Sequence, residues 1–281
     1  MKLALCVGKN NYSGAGVLRG CVNDASDIAE ILKNNGWHVE LILDSQATVE
    51  NCKLILADYA KQLNSNHDQC LWTYSGHGTQ VVDKNNDEGD GYDEAIYLDK
   101  VWLDDDIYPT LKQFNENIDL GVVFDSCFSH SATRNALFAQ NNPRYTKARY
   151  IEIEPVKPTA KRDHRFLHPK GVVNIPWWHY SGCGDLEYSY DAVFNGRHNG
   201  AFTYNWTRAL GAFRTHQIVF EIVRKKLPTP QYPQTPTLEG NYANKFLLDA
   251  SVDIGSINVP EKQTCRLFKK LLTLLISLFK R

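Results

Sequence analysis

The stretch Gln69-Cys70-Leu71-Trp72-Thr73-Tyr74-Ser75-Gly76-His77-Gly78 runs from an apolar strand pattern straight into a histidine held between two glycines. Leu120-Gly121-Val122-Val123-Phe124-Asp125-Ser126-Cys127 repeats the arrangement, with a cysteine where the strand stops. Elsewhere, apolar runs at Lys2–Gly8, Trp37–Leu43, Val172–Ser181 and Lys245–Leu248 alternate with helix-period segments at about Asn23–Asn35, Val49–Gln62, Asp104–Asn115, Phe202–Ala212 and Ile218–Lys226. Such alternation predicts an α/β fold: a mostly parallel sheet of about six strands with helices on both faces. In a parallel sheet the two quoted strands end at the same carboxyl edge, where open α/β folds place their sites. His77 and Cys127 are therefore expected to be neighbours in space.

That pair suits nucleophilic catalysis. A cysteine attacks as its thiolate, and a histidine within reach takes the thiol proton and later protonates the leaving amine. Glycines beside His77 keep its edge open, and the Gly78 amide can point at a developing oxyanion. Each residue also has an ordinary reading, Cys127 as a small core side chain and His77 as a satisfied polar group. Residue pattern alone leaves both readings standing.

Bulk properties narrow the field. With 281 residues and 43% hydrophobic content, the chain suits one elaborated domain, expected at 1–250. A net charge of −1 supplies no global field toward nucleic acid or anionic membrane. The seven cysteines are odd in number, scattered and without a CxxC pair, which argues against a disulfide framework and a structural zinc site. The N-terminal apolar run is too short for a signal peptide, and no window reaches the roughly 18 apolar residues of a spanning helix. A soluble cytoplasmic protein with reduced thiols is expected.

Beyond the pair, Tyr74-Ser75-Gly76-His77-Gly78-Thr79-Gln80, Asp90-Gly91-Tyr92-Asp93-Glu94-Ala95, Asp104-Asp105-Asp106 and Asp125-Ser126-Cys127-Phe128-Ser129 follow one another in order. Together with Leu18–Asp24, His179–Cys183 and Gly200–Thr203, they resemble the successive motifs of the metacaspases and their prokaryotic caspase-like relatives, from about Lys2 to Leu248. The QAC signature of animal caspases is absent, although the histidine precedes the cysteine by their spacing of about 50 residues. The resemblance implies the caspase-like (caspase-hemoglobinase) fold and a monomeric cysteine endopeptidase acting on polypeptides. Cys127 becomes the nucleophile, His77 the general acid/base, and the Gly78 and Cys127 amides the oxyanion hole. It implies an S1 pocket at Cys21, Asp24, Ser75 and Asp125, selecting Arg or Lys at P1 by charge-assisted bonds. A competing reading makes Asp24 the N-cap of the first helix.

Many relatives use calcium, and the resemblance maps its ligands onto Asp93, Asp104 and Asp105, whose hard oxygens suit that ion. Arg134 stands where the pattern continues with an aspartate, and a cation there opposes a divalent ion. No cofactor is required by the reaction itself. Asp104–Asp106 also suit a helix N-terminus. The basic, proline-containing stretch 134–170, with Arg144, Lys147, Arg149, Lys157, Lys161, Arg162 and Arg165, offers self-cleavage sites to an enzyme that cuts after basic residues, or a solvated loop. At 260–281 an amphipathic basic tail suits a membrane surface, a partner protein or docking on the core. The alternatives to a peptidase are a catalytically silent caspase-like scaffold and a cysteine hydrolase of non-peptide substrates.

Overall fold

The computed structural model describes residues 1–12, 16–82, 92–127, 146–153, 175–184, 187–211, 214–243, 245 and 248. The chain divides into a unit Met1–Leu248 and a unit Asp249–Arg281. The predicted tail, residues 83–91, Arg134 and most of 134–170 lie outside the described residues.

Six strands form the central sheet: β1 (Lys2–Gly8), β2 (His38–Leu43), β3 (Gln69–Ser75), β7 (Asp119–Asp125), β9 (Trp178–Ser181) and β12 (Thr237–Gly240). Their order is β12-β9-β7-β3-β1-β2, and every pairing is parallel except β12 on β9. This is the mostly parallel six-stranded sheet that the alternation predicts. One edge differs. Lys245 and Leu248 lie outside any strand, and the sixth strand is Thr237–Gly240. A four-residue edge strand behind prolines 228, 230, 233 and 236 carries too little periodicity to be read in advance.

Strand alternation builds two apolar layers. Leu3, Leu5 and Val7 of β1, Cys70, Trp72 and Tyr74 of β3, and Leu120, Val122 and Phe124 of β7 face one way. There they meet α2 (Val49–Gln62) and α3 (Asp104–Leu111). Ala4, Cys6, Leu71 and Val123 face the other, against α1 (Cys21–Asn34), α4 (Ala201–Ala209) and α5 (His216–Arg224). Thr48 caps α2 by accepting from the Asn51 amide at 3.1 Å. Gly36, at φ +79°, ends α1 as a C′ glycine.

Two small sheets flank the carboxyl edge: β4 (Gly78–Val82), β5 (Tyr92–Tyr97) and β6 (Val101–Leu103); then β11 (Arg197–Gly200), β10 (Tyr190–Phe194) and β8 (Lys147–Ala148). The first leaves β3 directly after His77. The second carries a segment of the basic stretch, Lys147–Ala148, antiparallel to Tyr190–Asp191.

On the α5 side, His216 lies 4.2 Å from the Trp178 ring and near the Tyr180 hydroxyl, with its Nε2 buried and without a hydrogen-bond partner. Burial lowers its pKa from 6.5 to about 4. Because the folded value is depressed, this histidine's contribution to stability is present above pH 6.5 and disappears as pH falls toward 4. His216→Phe is expected to flatten the acid loss of stability between those limits by up to about 3 kcal/mol, read from urea unfolding at pH 7 and pH 4.5. An unchanged pH slope in the variant refutes this assignment.

Candidate active site

Parallel pairing of β3 with β7 sets Ser75 opposite Asp125, so the segments carrying His77 and Cys127 leave adjacent strands at one edge. Both residues are fully buried. Two tyrosines fix the His77 backbone: its N–H donates to the Tyr12 hydroxyl at 2.8 Å, and its carbonyl accepts from the Tyr74 hydroxyl at 2.7 Å. The imidazole lies 4.7 Å from the Tyr12 ring, with Nε2 2.8 Å from the Gly16 carbonyl. A carbonyl only accepts, so Nε2 carries the proton and Nδ1 keeps its lone pair. Nδ1 is buried and has no hydrogen-bond partner. Burial, with the nearby cations of Lys147 and Arg149, pulls the imidazole pKa from 6.5 to about 4, so the ring is neutral at pH 7.

The Cys127 sulfur accepts from the Ser189 amide at 2.8 Å and donates to the Ser189 carbonyl at 3.2 Å. It also neighbours Cys183, whose thiol is pushed well up by the hydrogen bond to Cys127 and by burial. Thus His77 and Cys127 sit at one edge while their functional atoms engage different backbone carbonyls, those of Gly16 and Ser189.

What lies between them is a piece of the same chain. The Arg149 carbonyl accepts from the Gly78 amide at 2.9 Å and the Cys127 amide at 3.2 Å. Its own N–H donates to the Ser189 carbonyl at 3.0 Å, and beyond it the Ile151 amide donates to the Gly78 carbonyl at 3.0 Å. The pair of amides that the resemblance names as an oxyanion hole therefore converges on one carbonyl oxygen.

The Arg149 guanidinium, with no solvent exposure, enters the pocket. Nη2 meets Asp24 Oδ2 at 2.7 Å and Asp191 Oδ1 at 3.2 Å, and Nη1 meets Asp125 Oδ2 at 3.1 Å. Nη1 also donates to Ser75 Oγ at 2.7 Å and the Asp125 carbonyl at 3.0 Å. Cys21, Asp24, Ser75 and Asp125, the four positions named from sequence, thus surround one cation: Cys21 is buried beside it, its thiol pKa raised by burial and eased by Arg149. Desolvation and the Asp125 charge raise the Asp24 pKa to about 6 against the pull of Arg149. The Arg149 pKa moves further up, its own desolvation being outweighed by the carboxylates.

Neutral donors complete the pocket. Asp24 accepts from Ser75 Oγ at 2.7 Å, Asn199 Nδ2 at 2.9 Å and the Gly200 amide at 3.0 Å. Asp125 accepts from Thr203 N and Oγ1 at 3.0 and 2.6 Å and from Ser189 Oγ. A Cβ at Gly200 would run into both Asp125 Oδ2 and the Arg149 guanidinium, so only glycine fits there.

Two sequence expectations need correction or completion. Asp24 is not a cap: the α1 N-cap is Gly20, no side chain caps the helix, and Asp24 stands in the first turn with its carboxylate turned into the pocket. Asp191 escapes sequence reading altogether. It is an ordinary strand residue until β10 is laid beside α1, where it also accepts from the Arg19 and Gly20 amides at 2.8 Å each.

Of the calcium positions, Asp93 lies in β5 and Asp104 and Asp105 open α3, whose first turn all three of Asp104–Asp106 share. Among the described residues no three Asp, Glu, His or Cys side chains are grouped to hold a metal.

Comparison with known proteins establishes the family. The caspase domain model of the C14 peptidases matches residues 1–247. Metacaspase-1 of Emericella nidulans is 27% identical over 286 residues, covering 85% of this chain and 70% of that protein. The crystal structure of protein GSU0716 from Geobacter sulfurreducens superposes with a TM-score of 0.67 at 26% identity, covering 89% of this chain and 99% of that one. Caspase-1 from Spodoptera frugiperda, at 14% identity and a TM-score of 0.52 over 85% of each chain, shares the fold. Since the family match spans nearly the whole described unit, the chain belongs to the caspase-domain, metacaspase-like peptidases and is a cysteine-type peptidase.

Proposed function

We propose that this peptidase is an endopeptidase that cleaves after Arg or Lys, with Cys127 as nucleophile and His77 as its proton carrier. The observation that carries the proposal is Arg149: a peptide carbonyl held by two amides while its own side chain meets three buried carboxylates. A substrate arginine in the same pocket places its scissile carbonyl on the Gly78 and Cys127 amides. Its N-terminal side extends along Tyr190–Asp191 by strand addition.

In the proposed reaction, His77 Nδ1 takes the Cys127 proton while Gly16 holds the Nε2–H and fixes the tautomer. The thiolate bonds to the carbonyl carbon, and the two amides carry the charge that develops on its oxygen. The C–N bond breaks as His77 returns the proton to the leaving amine, leaving a thioester. Water then adds with His77 as base, the C–S bond breaks, and Cys127 recovers its proton. Arg is favoured over Lys because a fork of donors spans carboxylates that a single ammonium cannot all reach.

No step is routed through calcium. Polypeptides are the proposed partners, and the enzyme is proposed to act as a cytoplasmic monomer. The described cysteines Cys6, Cys21, Cys52, Cys70, Cys127 and Cys183 are free, and no described helix is long and apolar enough to cross a membrane.

The test offers peptides with Arg, Lys or Asp at P1 to wild type and Cys127→Ala, with calcium or chelator. Arg peptides are expected to exceed Asp peptides by roughly 10⁴-fold in kcat/KM, since Asp leaves three carboxylates facing a fourth. Chelator is expected to leave the rate unchanged, and Cys127→Ala to remove it. Equal turnover of Arg and Asp peptides, or activity surviving in Cys127→Ala, refutes the proposal.

A further inference from the structure

We infer that Tyr12 and Tyr74 are positioning residues for His77, gripping both ends of its backbone so that the imidazole is presented to Cys127 in one orientation. This rests on the Cys127–His77 reading above and adds what holds the histidine in place.

The sequence itself creates the need. His77 stands between Gly76 and Gly78 where the chain leaves β3, and glycine gives a backbone more freedom than any other residue. A histidine that carries a proton between fixed atoms requires the opposite, since a misplacement of about 1 Å costs roughly 10²-fold in rate. Both glycines answer to a neighbour. A Cβ at Gly78 would strike the Cys127 backbone, and a Cβ at Gly76 would strike the hydroxyl oxygens of Tyr74 and Tyr12. The stiffness must therefore come from outside the segment.

The two phenols supply it. The Tyr12 hydroxyl accepts the His77 N–H at 2.8 Å, which leaves its own proton for the Tyr74 hydroxyl at 3.4 Å. The Tyr74 hydroxyl lies between the His77 and Tyr97 carbonyls, at 2.7 and 2.8 Å, and carbonyls only accept, so its proton points to them. Donation thus runs one way, from the His77 N–H through Tyr12 to Tyr74 and back to the His77 carbonyl. The Tyr97 amide adds a further bond to that carbonyl at 2.9 Å. Both phenols are buried, and burial raises their pKa, so they remain protonated at pH 7.

Tyr12 also confines the ring. It lies 4.7 Å from the imidazole at a tilt of 59°, and it stacks on Tyr97 at 5.8 Å and 14°. Gly16, whose carbonyl takes the Nε2–H, belongs to the same connection between β1 and α1. The Leu18 amide closes that connection on the Asn10 carbonyl at 2.9 Å. Asp44 anchors its start, accepting from the Asn10 and Asn11 amides at 2.8 and 3.0 Å. One stretch of chain therefore holds His77 by its backbone and by its imidazole, while Tyr74 ties the same residue to β3.

The rival role for the two phenols is core packing alone. Tyr12→Phe and Tyr74→Phe keep each ring and remove only the hydroxyl. They are compared, singly and together, with full-length wild type and Cys127→Ala on an Arg peptide anilide and on the thioester of the same peptide. The leaving nitrogen of the anilide must take a proton from His77, whereas a thiolate leaves without one.

Each single variant is expected to lower kcat/KM roughly 10–10²-fold on the anilide and only about threefold on the thioester. The double variant is expected within about twofold of the less active single one, because losing either hydroxyl already frees the same residue. Should Tyr12→Phe fail to fold by circular dichroism, Tyr74→Phe carries the same comparison of substrates. A folded single variant within about twofold of wild type on the anilide, an equal fall on both substrates, or a double variant whose loss is the product of the two overturns the inference and leaves the dyad reading in place. Wild type inert on both substrates, or activity retained in Cys127→Ala, overturns the dyad reading and the inference with it.

Discussion

Gly78→Ala is expected to lower kcat toward Arg peptides by at least 10²–10³-fold, the usual cost of losing one oxyanion donor. A Cβ at position 78 would fall far inside contact distance of the Cys127 carbonyl oxygen and carbon. The clash is with backbone rather than with a flexible side-chain end, so one of the two segments must move. Either movement harms the same site. If the 78 segment retreats, its amide leaves the carbonyl it now holds at 2.9 Å; if the 127 segment retreats, the nucleophile and the second amide go with it. The Gly78 carbonyl also accepts from Ile151 and opens β4, so a stability loss of about 1–3 kcal/mol accompanies the kinetic one. Steady-state kinetics, with thermal melting alongside, separate the two effects. A variant that keeps kcat within a few-fold of wild type removes Gly78 from the oxyanion hole.

Arg149→Met, made in the Cys127→Ala background so that no cleavage intervenes, is expected to destabilise the chain by about 3–5 kcal/mol at pH 7. Methionine fills much of the volume but leaves Asp24, Asp125 and Asp191 in one buried pocket with neutral donors alone. Their mutual repulsion raises the proton affinity of the folded site above that of the unfolded chain. A folded pKa raised above the unfolded value means stability that is present at low pH and lost as pH rises through the raised value. The deficit relative to the parent should therefore shrink as pH falls from 7 toward 5. Asp24, whose carboxyl already titrates at about 6 with Arg149 in place, is the first to take a proton. Urea unfolding of both proteins across that range provides the measurement. A deficit that stays constant with pH shows that the three carboxylates do not depend on the arginine.

The second result bears on how a cluster of buried carboxylates is kept folded. Three buried carboxylates are costly unless a cation accompanies them. In this chain the accompanying cation comes from the polypeptide itself.

Much of this was legible in the linear sequence because it depends on local periodicity. The apolar runs that end at Ser75 and Asp125 determine two parallel strands, and parallel strands carry whatever follows them to one edge. That places His77 and Cys127 at the same end of the sheet without any tertiary information. The span of α2 and the turn at Gly36 are likewise local. The edge strand Thr237–Gly240 was not legible, because its pairing with β9 supplies an order that four residues following several prolines cannot encode.

The site was legible in its residues and not in its relations. Asp24 also reads as a helix cap, since the choice depends on whether Ser75, Asn199 and Gly200 arrive to surround its carboxylate. Asp191 carries no local signal at all. Arg149 is one basic residue among several in a stretch without period, and nothing nearby in the sequence marks it. Local sequence alone determined five of the six strands of the sheet, the edge to which His77 and Cys127 are carried and the residue types available there. Only the tertiary structure decided that Arg149 is the residue that occupies the pocket, because burying a guanidinium requires carboxylates from three separate elements, α1, β7 and β10, to meet around it.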